Sequence, residues 1–258
     1  MLDTNLSERS QERAIGQIPT RDARLLRKKP VCIVLHQENS NPGHVGQWFV
    51  RNGHRLDIRK PCFGDRLPET LEQHCGCVIF GGPMSANDKD AFVRAEIDWI
   101  EVPLRENKPL LGICLGAQML TVNLGGKVDF HPDEEVEIGY YPLSTTQAGN
   151  AFGPFPDHVY EWHKEGFELP SGARLLATSH GAFPNQAFSY GSAAVGVQFH
   201  PEITYAQVHR WTGHNPQRLN LKGACPRQQH IDGHVTHAPH VQAWLDRFLS
   251  HWLLADRP

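Results

Sequence analysis

Residues 109–120 read PLLGICLGAQML, and this stretch decides the fold. The apolar run at 109–113 is typical of a buried strand, and the residues after it have the apolar spacing of a helix. Cys114 stands at the junction, between Gly112 and Gly116. Glycines on both sides relieve backbone crowding in a tight strand-to-helix turn, which holds the side chain out towards a ligand. The stretch therefore predicts a nucleophile elbow in an α/β fold.

Strand and helix patterns alternate along the first half of the chain. We predict strands at VCIVLH, RLDIRK and CVIFGG, and helices at 43–54 and 88–107, the second capped by Asn87 or Asp88. Such alternation is typical of a mostly parallel central sheet with helices on both faces. Between 127 and 200, short apolar runs are separated by turn residues, and we expect them to extend the same sheet.

The two ends of the chain differ from this middle part in composition. Residues 1–29 are polar, and we expect a tail followed by one domain over 30–250. Residues 213–239 are polar as well, and we predict a surface excursion there. This segment begins a histidine-rich stretch in which Gly233 and Pro239 oppose a helix, so we expect a solvated loop and no metal site. The four histidines concerned are His230, His234, His237 and His240.

Composition excludes several classes of function. With 258 residues and a formal net charge of −3, the chain gives no electrostatic reason to bind nucleic acid or a membrane surface. No apolar run reaches the roughly 20 residues that cross a bilayer. The first 30 residues lack the apolar core of a signal peptide, and the six cysteines are scattered. We therefore expect a cytoplasmic protein with free thiols.

A second motif, VGVQFHPEI, supplies partners for Cys114. If the run at 195–199 is a strand that ends at the same sheet edge, His200 can reach the cysteine as a general base. Glu202 can then orient the imidazole and stabilise its charged form. The positive end of the helix after Cys114 favours a thiolate over a thiol. The alternative is a small buried thiol beside a polar residue at the sheet edge.

A third motif, FGGP at 80–83, follows an apolar strand. Its backbone N–H groups can face a ligand, and Gly82 could donate one to an oxyanion. The N–H of Leu115, directly after the cysteine, could donate the other. An ordinary Gly-Pro turn is the alternative interpretation of this motif.

Together, GICLGAQ, VQFHPE and FGGP resemble the class I (triad-type) glutamine amidotransferase family, in particular free-standing domains similar to the glutaminase part of GMP synthase. The resemblance implies a single flavodoxin-like domain that works without a cofactor. It also implies that Cys114 attacks the side-chain amide of glutamine, forming a γ-glutamyl thioester and releasing ammonia. His200 would protonate the leaving amine and then activate water, with Glu202 behind it.

The resemblance extends to substrate contacts. Gln118 matches a family glutamine that contacts the substrate, and Gly82 and Leu115 match the oxyanion donors. EWHKEGF, at 161–167, aligns with a segment that holds the substrate's α-amino and carboxylate groups, which makes Trp162 a candidate contact. Relatives carry glycine where this chain has Lys164.

Three functions remain open at this stage. The first is an amidotransferase that passes ammonia from glutamine to an acceptor, activated by a separate synthetase subunit because the chain has no G-x-x-x-x-G-K-[ST] phosphate loop. The second is a γ-glutamyl peptidase or hydrolase that uses the same triad on another γ-glutamyl compound. The third is a catalytically silent binding module, against which the intact Cys114, His200 and Glu202 argue.

Overall fold

The computed structural model describes residues 28–254, so the predicted tail lies outside the described residues except for Lys28 and Lys29. The strands of this part are β1 Val31–Val34, β2 Leu56–Arg59, β3 Gly76–Ile79, β4 Leu110–Ile113, β5 Val128–Phe130, β6 Glu137–Pro142, β7 Ser144–Thr145, β8 His158–His163, β9 Glu165–Phe167, β10 Arg174–Thr178, β11 Asn185–Tyr190 and β12 Ala194–Val197. The α-helices are α1 Gly43–Arg51, α2 Ala91–Trp99, α3 Glu101–Arg105, α4 Leu115–Asn123, α5 Tyr205–His214 and α6 Arg227–Leu254.

The central sheet has eight strands in the order β2-β1-β3-β4-β12-β11-β10-β7. The first five are parallel to one another, and the last three are added in antiparallel pairs. The order of the parallel part is that of flavodoxin-like folds, in which ligands bind beyond the carboxyl ends of the strands. The predicted fold, with a mostly parallel sheet, is confirmed.

Both faces of the sheet are covered, because alternate residues of a strand point to opposite sides. In β1, Val31 and Ile33 pack into one core with α1 and α6. The residues between and after them, Cys32 and Val34, pack into a second core with α2 and α4. This explains why β1, β3, β4 and β12 are apolar throughout and fully buried.

The prediction that all runs between 127 and 200 extend this sheet is wrong for four strands. β5 pairs with β9, and β6 pairs with β8, in two separate antiparallel ribbons. Tyr160 of β8 belongs to a small core of its own with Ile203 and Val208. An alternating pattern gives the buried side of a strand and not its partner, so the ribbons were not foreseeable from periodicity.

The predicted helix at 88–107 is also corrected. It divides at Ile100 into α2 and α3, and its N-cap is Asp90 rather than Asn87 or Asp88. Asp88 instead accepts a hydrogen bond from the backbone N–H of Ser85, at 2.9 Å. Pro103 explains the division, since it lacks an N–H and lies in the first turn of α3, where that group has no helical partner.

The predicted surface excursion at 213–239 and its solvated histidine-rich loop are wrong as well. Helix α6 begins at Arg227 and passes through Gly233 and Pro239. His230 is fully buried and His234 nearly so. A Cβ on Gly233 would lie 2.6 Å from the ring of Tyr140, so this glycine is needed for close packing and does not end the helix. Tertiary packing here overrides local helix propensity.

Candidate active site

Three neighbouring strands of the sheet, β3, β4 and β12, end at one edge and bring the predicted site residues together. Gly82 follows β3, Cys114 follows β4, and His200 lies three residues beyond β12. They line one cavity of about 520 Å³, which lies beyond the carboxyl ends of the parallel strands. This volume is within the range of small-molecule sites, about 300–1,000 Å³.

Cys114 occupies a strained elbow. Its φ of 51° and ψ of −106° lie outside the regions that L-residues normally adopt, and it is the N-cap of α4, which begins one residue later than predicted. A Cβ on Gly112 would lie 2.5 Å from the carbonyl oxygen of Gly116, so both glycines permit the close strand-to-helix approach. The predicted nucleophile elbow therefore has the expected geometry, although only 6% of the cysteine is exposed.

His200 is held beside Cys114 and paired with a carboxylate. Its Nδ1 donates to Glu202 Oε1 at 2.8 Å, and both residues are buried. A Cβ on Gly81 would lie 2.7 Å from His200 Cε1 and 3.4 Å from Cys114 Cβ, so the two side chains border the same glycine. Burial opposes a charged ring, but the charges of Glu202 and Cys114 and their hydrogen bonds raise the pKa of His200 well above its usual range.

Gln198 also reaches the cysteine and was missed by sequence reasoning. Its Nε2 donates to Cys114 Sγ at 3.7 Å. It stands two residues before His200, and alternate residues of an extended segment point to the same side, so this signal was available in VQFHPE.

The two predicted oxyanion donors are neighbours. A Cβ on Gly82 would lie 3.1 Å from Leu115 Cδ2, and both residues line the cavity. Leu115 is the first residue of α4, so its N–H has no acceptor within the helix.

The other predicted contacts also line the cavity. Gln118 is buried, and its Nε2 donates to the carbonyl of Glu165 at 2.8 Å, so this amide holds strand β9 as well as facing the cavity. Trp162 is partly buried in the cavity wall. The Nζ of Lys164, at the position where relatives have glycine, lies 5.0 Å from the ring centroid of Phe130.

A second buried histidine, His163, also lines the cavity. Its Nδ1 donates to the carbonyl of Glu165 at 2.9 Å, and its Nε2 lies 3.1 Å from Glu161 and 3.2 Å from Glu137. Because both ring nitrogens face acceptors, the ring is an imidazolium. Burial opposes the charge, but the two glutamates raise the pKa of His163 to about 10, and burial raises that of Glu161 to about 7.

These three residues, Glu137, Glu161 and His163, also form a group with the chemistry of metal ligands, their ligand atoms lying within 4.8 Å of one another. The cation that balances the carboxylates is already present as the imidazolium. The arrangement is therefore explained as a buried ion pair that holds the β8–β9 turn at the cavity.

Comparison with known proteins identifies the family. The sequence model of class-I glutamine amidotransferases matches residues 47–211, more than half of the chain. The chain therefore belongs to the class I glutamine amidotransferase family, a family of enzymes.

Individual relatives agree with this assignment. The chain is 31% identical over 200 residues to the glutamine amidotransferase-like protein YfeJ of Salmonella typhimurium, covering 73% of this chain and 82% of that protein. It is 36% identical over 148 residues to a glutamine-hydrolysing GMP synthase of Porphyromonas gingivalis, covering 55% of this chain but 28% of the synthase. The crystal structure of a glutamine amidotransferase from Thermotoga maritima superposes with a TM-score of 0.79 at 30% identity, covering 88% and 98% of the two chains.

Between residues 28 and 254, no helix has the length and apolar character needed to cross a membrane.

Proposed function

We propose that this protein hydrolyses the side-chain amide of glutamine through a cysteinyl γ-glutamyl thioester. The observation that carries the proposal is the arrangement of Cys114 at a strained elbow beside His200, whose other ring nitrogen is bonded to Glu202 at 2.8 Å. A nucleophile, a base and a group that orients the base are the parts that covalent acyl transfer needs.

Each residue has a defined role in this reaction. The Sγ of Cys114 attacks the amide carbon, and His200 gives a proton to the departing nitrogen, so that ammonia leaves and the thioester remains. His200 then takes a proton from water, which attacks the thioester and releases glutamate. Glu202 stabilises the imidazolium in both steps.

The N–H groups of Gly82 and Leu115 are proposed as the oxyanion hole. They flank the nucleophile from two different strand ends, and donors arranged in advance stabilise the charge that develops on the carbonyl oxygen. Gln198 donates to the sulfur and would stabilise the thiolate. Gln118 and the β8–β9 turn, with Trp162, are proposed to hold the glutamyl group.

The test is glutamate release from glutamine by the purified protein and by its Cys114→Ser and Cys114→Ala variants. We expect the variants to lose the activity by about a thousandfold or more, because the covalent route disappears. Their far-UV circular dichroism should match that of the wild type. Folded variants that retain activity would overturn the proposal.

Alkylation by a glutamine-like electrophile provides a second measurement on the same residue. Cys114 should be labelled before the other cysteines. Burial raises the pKa of Cys32 to about 12 and that of Cys77 well above its usual range, so these thiols stay protonated. Uniform labelling of all six cysteines would contradict the proposed role.

A γ-glutamyl peptidase or hydrolase is the second candidate, and the cavity favours it. The cavity extends from Cys114 to Arg218, past the triad. The two candidates differ in the ratio of kcat/KM for glutamine to that for γ-glutamyl dipeptides. A preference for dipeptides of about tenfold or more, or about 1.4 kcal/mol in barrier height, would favour the peptidase.

For the amidotransferase candidate, we propose that ammonia passes to an acceptor on a separate synthetase subunit. The similarity to GMP synthase supports this, since the chain aligns with only 28% of that enzyme. Faster glutamate release in the presence of a co-purifying synthetase would support the partner.

A further inference from the structure

Arg218 lines the same cavity as Cys114 and takes no part in the proposed triad. It lies in a short 3₁₀ helix, Pro216–Asn220, which follows α5. Its guanidinium carbon lies 5.7 Å from the ring centroid of Trp162, and the residue is half-buried. An arginine stacked on an indole has a restricted position, which suits it to bind one ligand group.

No carboxylate among the described residues forms an ion pair with Arg218. The acidic side chains that line the cavity are engaged or distant: Glu202 accepts from His200, Glu165 accepts from Ser85 at 2.7 Å, and Glu38 is exposed. Burial lowers the pKa of Arg218, and Cys114 is the ionisable group whose charge acts against this. A partly desolvated guanidinium without a counter-charge favours an anionic ligand.

The position of Arg218 relative to His200 suggests which part of a substrate it would meet. The ring of Trp211 lies 4.9 Å from that of His200 and 5.7 Å from that of Trp162, on which Arg218 stacks. These rings form an aromatic wall that leads from His200 to Arg218. His200 is the proposed proton donor to the leaving nitrogen, so a substituent on that nitrogen would run along the wall.

The glutamyl half of a substrate has its own contacts on the other side of Cys114. There Gly82 adjoins Leu115, and Gln118 bonds to the carbonyl of Glu165. Free glutamine would fill this half and release ammonia, which has neither a carboxylate nor the length to reach Arg218.

We propose that Arg218 binds a carboxylate on the leaving group, so that the site also cleaves γ-glutamyl amino acids and short γ-glutamyl peptides. This inference rests on the proposed thioester chemistry. Cys114 Sγ forms a bond to the γ-carbonyl carbon, the bond from that carbon to the amino acid nitrogen breaks, and His200 protonates the nitrogen. The free amino acid leaves with its carboxylate on Arg218, and water then hydrolyses the thioester to glutamate.

The experiment compares two substrates that differ only in the proposed contact, γ-glutamylglycine and γ-glutamylglycinamide. The wild type should prefer the acid over the amide in kcat/KM by about tenfold or more, the discrimination expected of a charge-assisted hydrogen bond. Arg218→Gln should remove most of this preference, and Arg218→Lys should keep part of it. Arg247→Gln, which removes an exposed charge on α6 away from the cavity, should keep all of it.

Glutamine measured in parallel separates the two proposals. If the protein hydrolyses glutamine but the wild type does not prefer the acid, the role of Arg218 is wrong and the proposed function stands. An equal preference in the wild type and Arg218→Gln has the same meaning. If neither glutamine nor the dipeptides release glutamate, the thioester chemistry itself is overturned. The ratio in the wild type does not depend on whether a variant folds.

Discussion

His200 and His163 line the same cavity, and each is buried against glutamate, but their ring nitrogens have different surroundings. In His200, Nδ1 is bonded to Glu202 and the ring borders Cys114. In His163, Nδ1 is bonded to a backbone carbonyl and Nε2 faces two carboxylates. The first ring has one nitrogen directed to a reactive group, whereas the second has both nitrogens engaged with the protein.

The difference separates a proton carrier from a structural cation. A ring that exchanges a proton needs one nitrogen near the reacting atoms and one that is held. A ring whose two N–H groups both donate to buried acceptors stays charged and holds the surrounding strands. Pairing with glutamate, or a raised pKa, is thus insufficient to identify a catalytic histidine.

The largest effect is expected at the proton carrier. His200→Ala should lower kcat for glutamate release by about a thousandfold or more, because no other group near Cys114 is placed to transfer the proton. Glu202→Gln should lower it less, by about a hundredfold, since the amide can still hold the ring but does not balance its charge. Steady-state kinetics checks both values, and equal losses would mean that the carboxylate does more than orient and stabilise the ring.

At the structural cation we expect a loss of stability instead. His163→Gln leaves Glu137 and Glu161 buried without their cation, which should lower the free energy of unfolding by about 3–5 kcal/mol. Urea denaturation measures this change. A variant as stable as the wild type would show that the carboxylates are neutral without the histidine.

The same pair of proteins gives a pH dependence with a definite sign. The pKa of His163 is raised from 6.5 to about 10, so the folded protein keeps a proton that the unfolded chain loses. The stabilisation is complete below about pH 6.5 and disappears as the pH rises through 10. The stability advantage of the wild type over His163→Gln should therefore shrink across this window, by at most about 1.4 kcal/mol per pH unit.

The smallest effects come from two alanine substitutions that press on the two groups. A Cβ on Gly81 would lie 2.7 Å from the ring of His200, and a Cβ on Gly181 would contact the carboxylate of Glu137. Gly81→Ala should lower kcat by about tenfold with little change in stability, because a displaced base transfers protons poorly. Gly181→Ala should cost about 1–3 kcal/mol of stability with a smaller loss of rate. The reverse result would exchange the roles of the two histidines.

Short-range patterns in the sequence were sufficient for much of the fold and for the residues of the candidate site. The parallel sheet follows from the alternation of apolar runs and helical spacing over 30–126. The elbow at Cys114 follows from Gly112 and Gly116, because the crowding that those glycines relieve is local. The spacing of His200 and Glu202 after an apolar run placed them at a strand end.

The contacts that join distant parts of the chain were decided only by the tertiary structure. The pairing of β6 with β8 brings Glu137 beside Glu161 and His163, and no local pattern encodes that choice of partner. Gly233 marks a helix break in the sequence, but it is a packing position in α6 because the ring of Tyr140 lies against it. Arg218 reaches the cavity because the chain folds back after α5. Periodicity determines which face of an element is buried, whereas the partner on that face depends on the packing of the whole domain.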